Sequence, residues 1–97
     1  MPTFITLIHS TQQGMQNIKE SPTRLEAAKK AFKAMGGELK HFYLVMGRYD
    51  MVVIGEAPDD ETAAKLSLAI GSQGAIRTET MRAFTEEEYR KIVGSLP

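Results

Sequence analysis

Seven side chains in this 97-residue chain carry the chemistry to bind or transform a ligand: His9, His41, Tyr43, Tyr49, Asp50, Arg77 and Glu79. The two histidines are the only ones present, and imidazole is the group suited to proton transfer near neutral pH. Arg77 offers a cation to an anionic substrate group, and Glu79 places a carboxylate two residues further on. No cysteine occurs, which removes thiol nucleophiles, disulfide scaffolds and Cys-x-x-Cys metal sites. Two histidines and a distant glutamate do not follow the spacing of a metal motif, so neither a metal nor a cofactor is expected. Gly71-Ser72-Gln73-Gly74 is followed by no Lys-Ser or Lys-Thr, so it is no phosphate loop.

Each candidate also has a structural reading. Asp50 can lock a turn and Tyr49 can pack its ring at the end of a sheet; Arg77 and Glu79 can pair with neighbours or guard an edge strand. Turn chemistry accounts for Gly47 and Asp50 but leaves Tyr49 unexplained. The choice depends on the elements that hold these residues.

Thr3 to His9 is rich in β-branched and apolar residues and reads as a strand with apolar side chains on both faces. Ser10 to Glu20 reads as a loop with a helical turn. Ser21 is placed to cap a helix, Pro22 suits its first position, and Leu25, Ala28, Phe32 and Met35 recur at helical spacing before Gly36-Gly37 ends it. Leu39 to Met46 reads as a second strand, with Leu39, His41, Tyr43 and Val45 on one face. Gly47-Arg48-Tyr49-Asp50 is a hairpin connection into a third strand, Met51 to Ala57, again apolar on both faces. Asp59 and Asp60 open a helix with a stripe of Ala63, Leu66 and Ile70, closed by Gly71 and Gly74. Ala75 to Phe84 reads as a fourth strand, and Thr85-Glu86-Glu87-Glu88 is a capping box for a last helix with Tyr89, Ile92, Val93 and Leu96 on one side.

This order predicts a single α+β domain over residues 1–97, a ferredoxin-like βαββαβ sandwich with a C-terminal helix. In that topology the first and third strands are central, and they are the two with apolar side chains on both faces. Two helices cover only one sheet face, so the other is expected to pair with a second copy. If His9, His41, Tyr43, Arg77 and Glu79 all point to that open face, they form a polar island in an apolar chamber; alternation fixes which residues share a strand face but not whether the strands agree.

Gly47-Arg48-Tyr49-Asp50, then Met51-Val52-Val53-Ile54 and Glu56-Ala57-Pro58-Asp59-Asp60, resembles the signature of the GYD family, small bacterial proteins named for that glycine, tyrosine and aspartate. The resemblance runs along most of the chain, including the first strand and Arg77-Thr78-Glu79-Thr80-Met81. It implies a dimeric α/β barrel, similar in shape to cofactor-free monooxygenases and to small regulatory modules. Twelve basic and twelve acidic residues balance, so bulk charge attracts no nucleic acid, and the sheet lacks the aromatic pattern of an RNA-recognition module. No apolar stretch approaches the roughly 20 residues that span a bilayer, and a cytoplasmic location is expected. The expected partners are a second copy of the chain, with higher assembly open, and a small molecule held between sheet and helices. A binding or regulatory module is preferred over a cofactor-free oxygenase or isomerase using His9 or His41 as base and Arg77 to hold an anion. A dimer with no ligand is the third reading.

Overall fold

A computed structural model describes residues 1–97. The elements are β1 (Thr3–Ser10), α1 (Gln12–Gln16), a 3-10 turn (Ile18–Glu20), α2 (Ser21–Ala34), β2 (Glu38–Leu44), β3 (Met51–Glu56), α3 (Asp60–Gly71), β4 (Ile76–Ala83) and α4 (Glu86–Gly94). The four strands form one antiparallel sheet in the order β2-β3-β1-β4, so the two strands with apolar residues on both faces are the central ones. This is the ferredoxin-like arrangement, with α2 and α3 on one face. Phe4, Ile8, Met51 and Val53 point from the central strands towards the helices and are buried, as are Ala63 and Leu66 of α3.

Capping follows local chemistry in three helices, with Thr11 Oγ1 accepting the Gly14 N–H at 3.1 Å at the start of α1. Asp59 Oδ1 accepts the Thr62 N–H at 2.8 Å, and Asp60 and Glu61 fill the first turn of α3, where backbone N–H groups favour negative charge. Thr85 and Glu88 exchange the two bonds of a capping box at 3.2 and 2.9 Å. The expectation for α2 is corrected. Ser21 already has helical dihedrals and its N–H is taken by the Ile18 carbonyl, because α2 runs straight on from the 3-10 turn; the capping position falls to Glu20, whose side chain makes no cap bond.

The second strand also departs from simple alternation. Leu39 pairs with Gly55 and His41 with Ile54, so Lys40 is an extra residue in a β-bulge. The bulge turns Leu39 to the helix side, where it packs against Ile8, Met51 and Val53, and leaves His41 and Tyr43 on the opposite face. Lys40 in turn lies 3.5 Å from Glu38 and 3.9 Å from Glu56, two carboxylates paired across the strands. β2 stops at Leu44 rather than Met46, where Val45 N–H donates to the Asp50 carbonyl and the chain between them bows out as the turn.

The protomer is thin and elongated, 51 × 31 × 18 Å. α2 and α4 bury none of their residues. Tyr89, Ile92 and Val93 of α4 are all exposed, as is Leu96, which lies beyond the helix and not on its apolar side as expected.

Candidate functional site

Strand register decides where the seven candidates stand. Residues directly paired across neighbouring strands share a sheet face. Tyr43, Val52, Leu7 and Glu79 form one row across the sheet, and His41, Ile54, Ile5 and Met81 form the next. His9 and Arg77 pair at the end of β1. All of these residues therefore lie on the face away from the helices. They do not form one island. An apolar stripe of Ile5, Leu7, Val52 and Ile54 runs down the middle, with His41 and Tyr43 on one margin and Arg77 and Glu79 on the other. At a strand spacing near 4.8 Å, Tyr43 and Glu79 are about 14 Å apart, and His41 and His9 about 16 Å. His41 and Tyr43 stack within their own margin, ring centroids 6.3 Å apart. No three of the histidine, aspartate and glutamate side chains converge as a metal donor set.

The GRYD turn joins the other margin. Gly47 has φ of +129°, a conformation that side chains resist. Asp50 fastens the turn to the end of β1: its Oδ2 accepts the Ser10 N–H at 2.8 Å, and its own N–H donates to the Ile8 carbonyl at 2.9 Å. That bonding places Tyr49 over His9, ring centroids 4.7 Å apart. Glu79, facing it from β4, is the main cause that raises the Tyr49 phenol above its ordinary pKa; desolvation acts in the same direction, and Arg48 opposes them. His9, Tyr49, Glu79 and Arg77 thus form a polar cluster at one corner of the open face. Tyr49, which turn chemistry leaves unexplained, packs on His9 of β1 and faces Glu79 of β4.

On the opposite face lies a feature built from other residues. α2 sits over β2 and α3 over β4, and the two helices touch each other little. Between them, above the central strands, is a cavity of about 160 Å³. Its walls include Phe4, Ile8, Leu25, Phe32, Leu66 and Ile70, and none of the seven candidates lines it. Thr6, Ser67 and Thr80 add a hydroxyl row, with Thr80 Oγ1 3.2 Å from Thr6 Oγ1 and 2.9 Å from Ser67 Oγ. Thr78 and Thr80, alternating along β4 towards the helices, are the sequence signal that could have pointed to this wall.

A family model described as the GYD domain matches residues 4–93. A Thermus thermophilus protein named as a glutamine synthetase and cystathionine beta-lyase binding protein is 34% identical over 84 residues, covering 86% of this chain and 88% of the relative. A crystal structure of a Thermus thermophilus protein superimposes with a TM-score of 0.56 at 26% identity, covering 88% of this chain and 95% of that one. The feast or famine regulatory protein of M. tuberculosis, solved in complex with L-methionine, gives 0.67 at 15% identity over 88% of this chain. This chain spans about half of that regulator, covering 51% of it, and the likeness is one of fold. With the motif, the register around it and the extent of the match in agreement, the chain belongs to the GYD-domain family.

Proposed function

We propose that the protein acts as a regulatory module that pairs with a second copy through the open sheet face, closing a dimeric α/β barrel, and binds a small molecule between its sheet and helices. The observation that carries this reading is the surface the protomer leaves uncovered. A folded monomer of 10.8 kDa exposes about 5,500 Å², whereas this one exposes 6813 Å². The surplus is about 1,300 Å², above the roughly 800 Å² per partner of a standard stable interface. The apolar stripe of Ile5, Leu7, Val52 and Ile54 gives that surface a centre, and the charged margins give it a polar rim.

A role in binding fits the Thermus relative, which is named for two enzymes it binds. An oxygenase or isomerase would need His9 or His41 and Arg77 around one substrate. In the protomer His41 and Arg77 stand on opposite margins, about 20 Å apart by strand spacing and rise, so only the His9 version of that enzyme keeps base and cation together; the binding module is preferred because it fits the relative's named role.

Sedimentation velocity at micromolar concentration tests it. The expected species is a dimer, and Leu7→Lys, in the middle of the stripe, is expected to yield a folded monomer. A wild-type protein that sediments as a stable folded monomer would refute the reading.

A further inference from the structure

We propose that the cavity between α2 and α3 accepts a neutral, ring-sized apolar molecule with a single hydrogen-bonding group, of the chemical class of a phenol. Its ring would lie among Phe4, Ile8, Phe32 and Leu66, and its polar atom against the hydroxyls of Ser67 and Thr80. The inference rests on the small-molecule reading above and specifies the ligand class.

Size sets the first limit. The pocket is partly open to solvent, and its volume near 160 Å³ compares with the roughly 150 Å³ apolar void that takes up benzene. It has room for one ring and few further atoms.

Charge sets the second. Arg24 is the one ionisable side chain among the lining residues, and its Nη1 already donates to the Asn17 carbonyl at 3.1 Å. No acidic side chain lines the walls, so an ammonium group entering the cavity would lose its hydration without a countercharge. Arg24 precedes Phe32 by eight residues on α2, about 12 Å along the helix, so a carboxylate held against Ser67 and Thr80 would lack a close countercharge. The recognised molecule is therefore uncharged.

The hydroxyl row sets the third. Thr6, Thr80 and Ser67 hold three O–H protons, and the row contains two mutual hydrogen bonds. One donor thus remains unspent within the row, and hydroxyl oxygens retain lone pairs, so the wall can serve a ligand that donates, accepts or does both. A phenolic hydroxyl suits such a wall, and a hydrocarbon leaves it idle. Leu25, Ala28 and Phe32 of α2 face this space only half-buried, and a bound ring would complete their burial.

Calorimetric titration and thermal melting with phenol, toluene and benzoate as probes test the proposal. Phenol is expected to bind saturably and raise the melting temperature. Toluene is expected to bind about tenfold more weakly, the equivalent of one hydrogen bond, and benzoate not at all. Thr80→Val should remove the preference for phenol over toluene while keeping both bound. Ala31→Leu fills the cavity and should abolish binding with melting unchanged or raised; if it does not fold, Ala28→Val provides the same test with a smaller side chain. Benzoate binding more tightly than phenol, and lost in the filled variant, would overturn the ligand class while leaving the small-molecule reading intact. Probe binding undiminished in both filled variants would overturn the location. Absence of binding by all three probes, with the filled variants raising the melting temperature, would mark the cavity as a packing defect and remove both readings.

Discussion

Replacing Asp50 by alanine measures what the GRYD turn contributes to the fold. Asp50 is held at three points: its Oδ2 accepts from Ser10 N–H at 2.8 Å, its N–H donates to Ile8 and its carbonyl accepts from Val45, both at 2.9 Å. Alanine keeps the two backbone bonds and deletes the carboxylate, leaving the Ser10 N–H without this partner in a part-buried setting. Hydrogen bonds to charged groups contribute about 1.5–3 kcal/mol, so a loss near 2 kcal/mol is expected. For a chain of 97 residues, an unfolding entropy near 2.1 cal/mol/K per residue converts this to a fall of about 10 °C in melting temperature. Asp50→Asn keeps an acceptor oxygen without the charge and should recover about half of the loss. Calorimetric melting of wild type and both variants at one protein concentration is the assay, because self-association makes the midpoint depend on concentration. An alanine variant within about 2 °C of wild type, against the roughly 10 °C expected from one charged hydrogen bond, would refute the reasoning. An asparagine variant as unstable as the alanine one would show that charge, and not the acceptor, is what matters.

Three further outcomes follow from local geometry. Gly14→Ala would place a Cβ 2.0 Å from the Ala75 carbonyl oxygen, and the forced separation of α1 from the start of β4 should cost about 3 kcal/mol by chemical denaturation. Glu79→Gln should lower the Tyr49 titration midpoint, read by ultraviolet absorbance, since the carboxylate is the main cause of its elevation. The sign for stability is fixed: a phenol whose folded pKa is raised favours the fold below its unfolded value near 10, and that contribution fades as pH climbs through the folded value, so wild type should lose more stability than the variant above about pH 10. Thr85→Ala should cost α4 about 1 kcal/mol, seen as faster amide exchange in its first turn. The Thr85 N–H holds the Glu88 carboxylate below its usual pKa, so the same amides should lose protection as pH falls from about 4 through that lowered value.

Strand order was legible because β1 and β3 are apolar on both faces, a pattern that central strands carry and edge strands do not. The capping box of α4 was equally plain, since Thr85 and Glu88 need nothing beyond their own backbone. The side on which Leu39 falls was not legible. A bulge at Lys40 shifts alternation by one residue, and no local preference of Glu38-Leu39-Lys40-His41 announces it. Ser21 failed as a cap because a preceding 3-10 turn had already occupied its N–H, and Ile18-Lys19-Glu20 carries no signal that marks such a turn. The candidate side chains were identifiable by type, but their division into two margins depends on pairing between four strands. The cavity was invisible for a related reason: Phe32, Leu66 and Ile70 look like ordinary core residues, and the spacing between two helices is not written in either helix alone.

The free-standing α4 has a consequence for how any contact it makes would be felt. Nine residues at 1.5 Å per residue give a rod of about 13 Å, bearing one apolar side and a polar side braced by the Glu86–Arg90 ion pair at 2.7 Å. Were the protein paired by a two-fold axis, each assembly would display two such rods fixed to one rigid base. A target offering two matching grooves would then be gripped bivalently, and the second contact would form at an effective concentration set by the base instead of by dilution. A weak hold by three side chains would in this way become a durable one, but only for targets that repeat at the right distance.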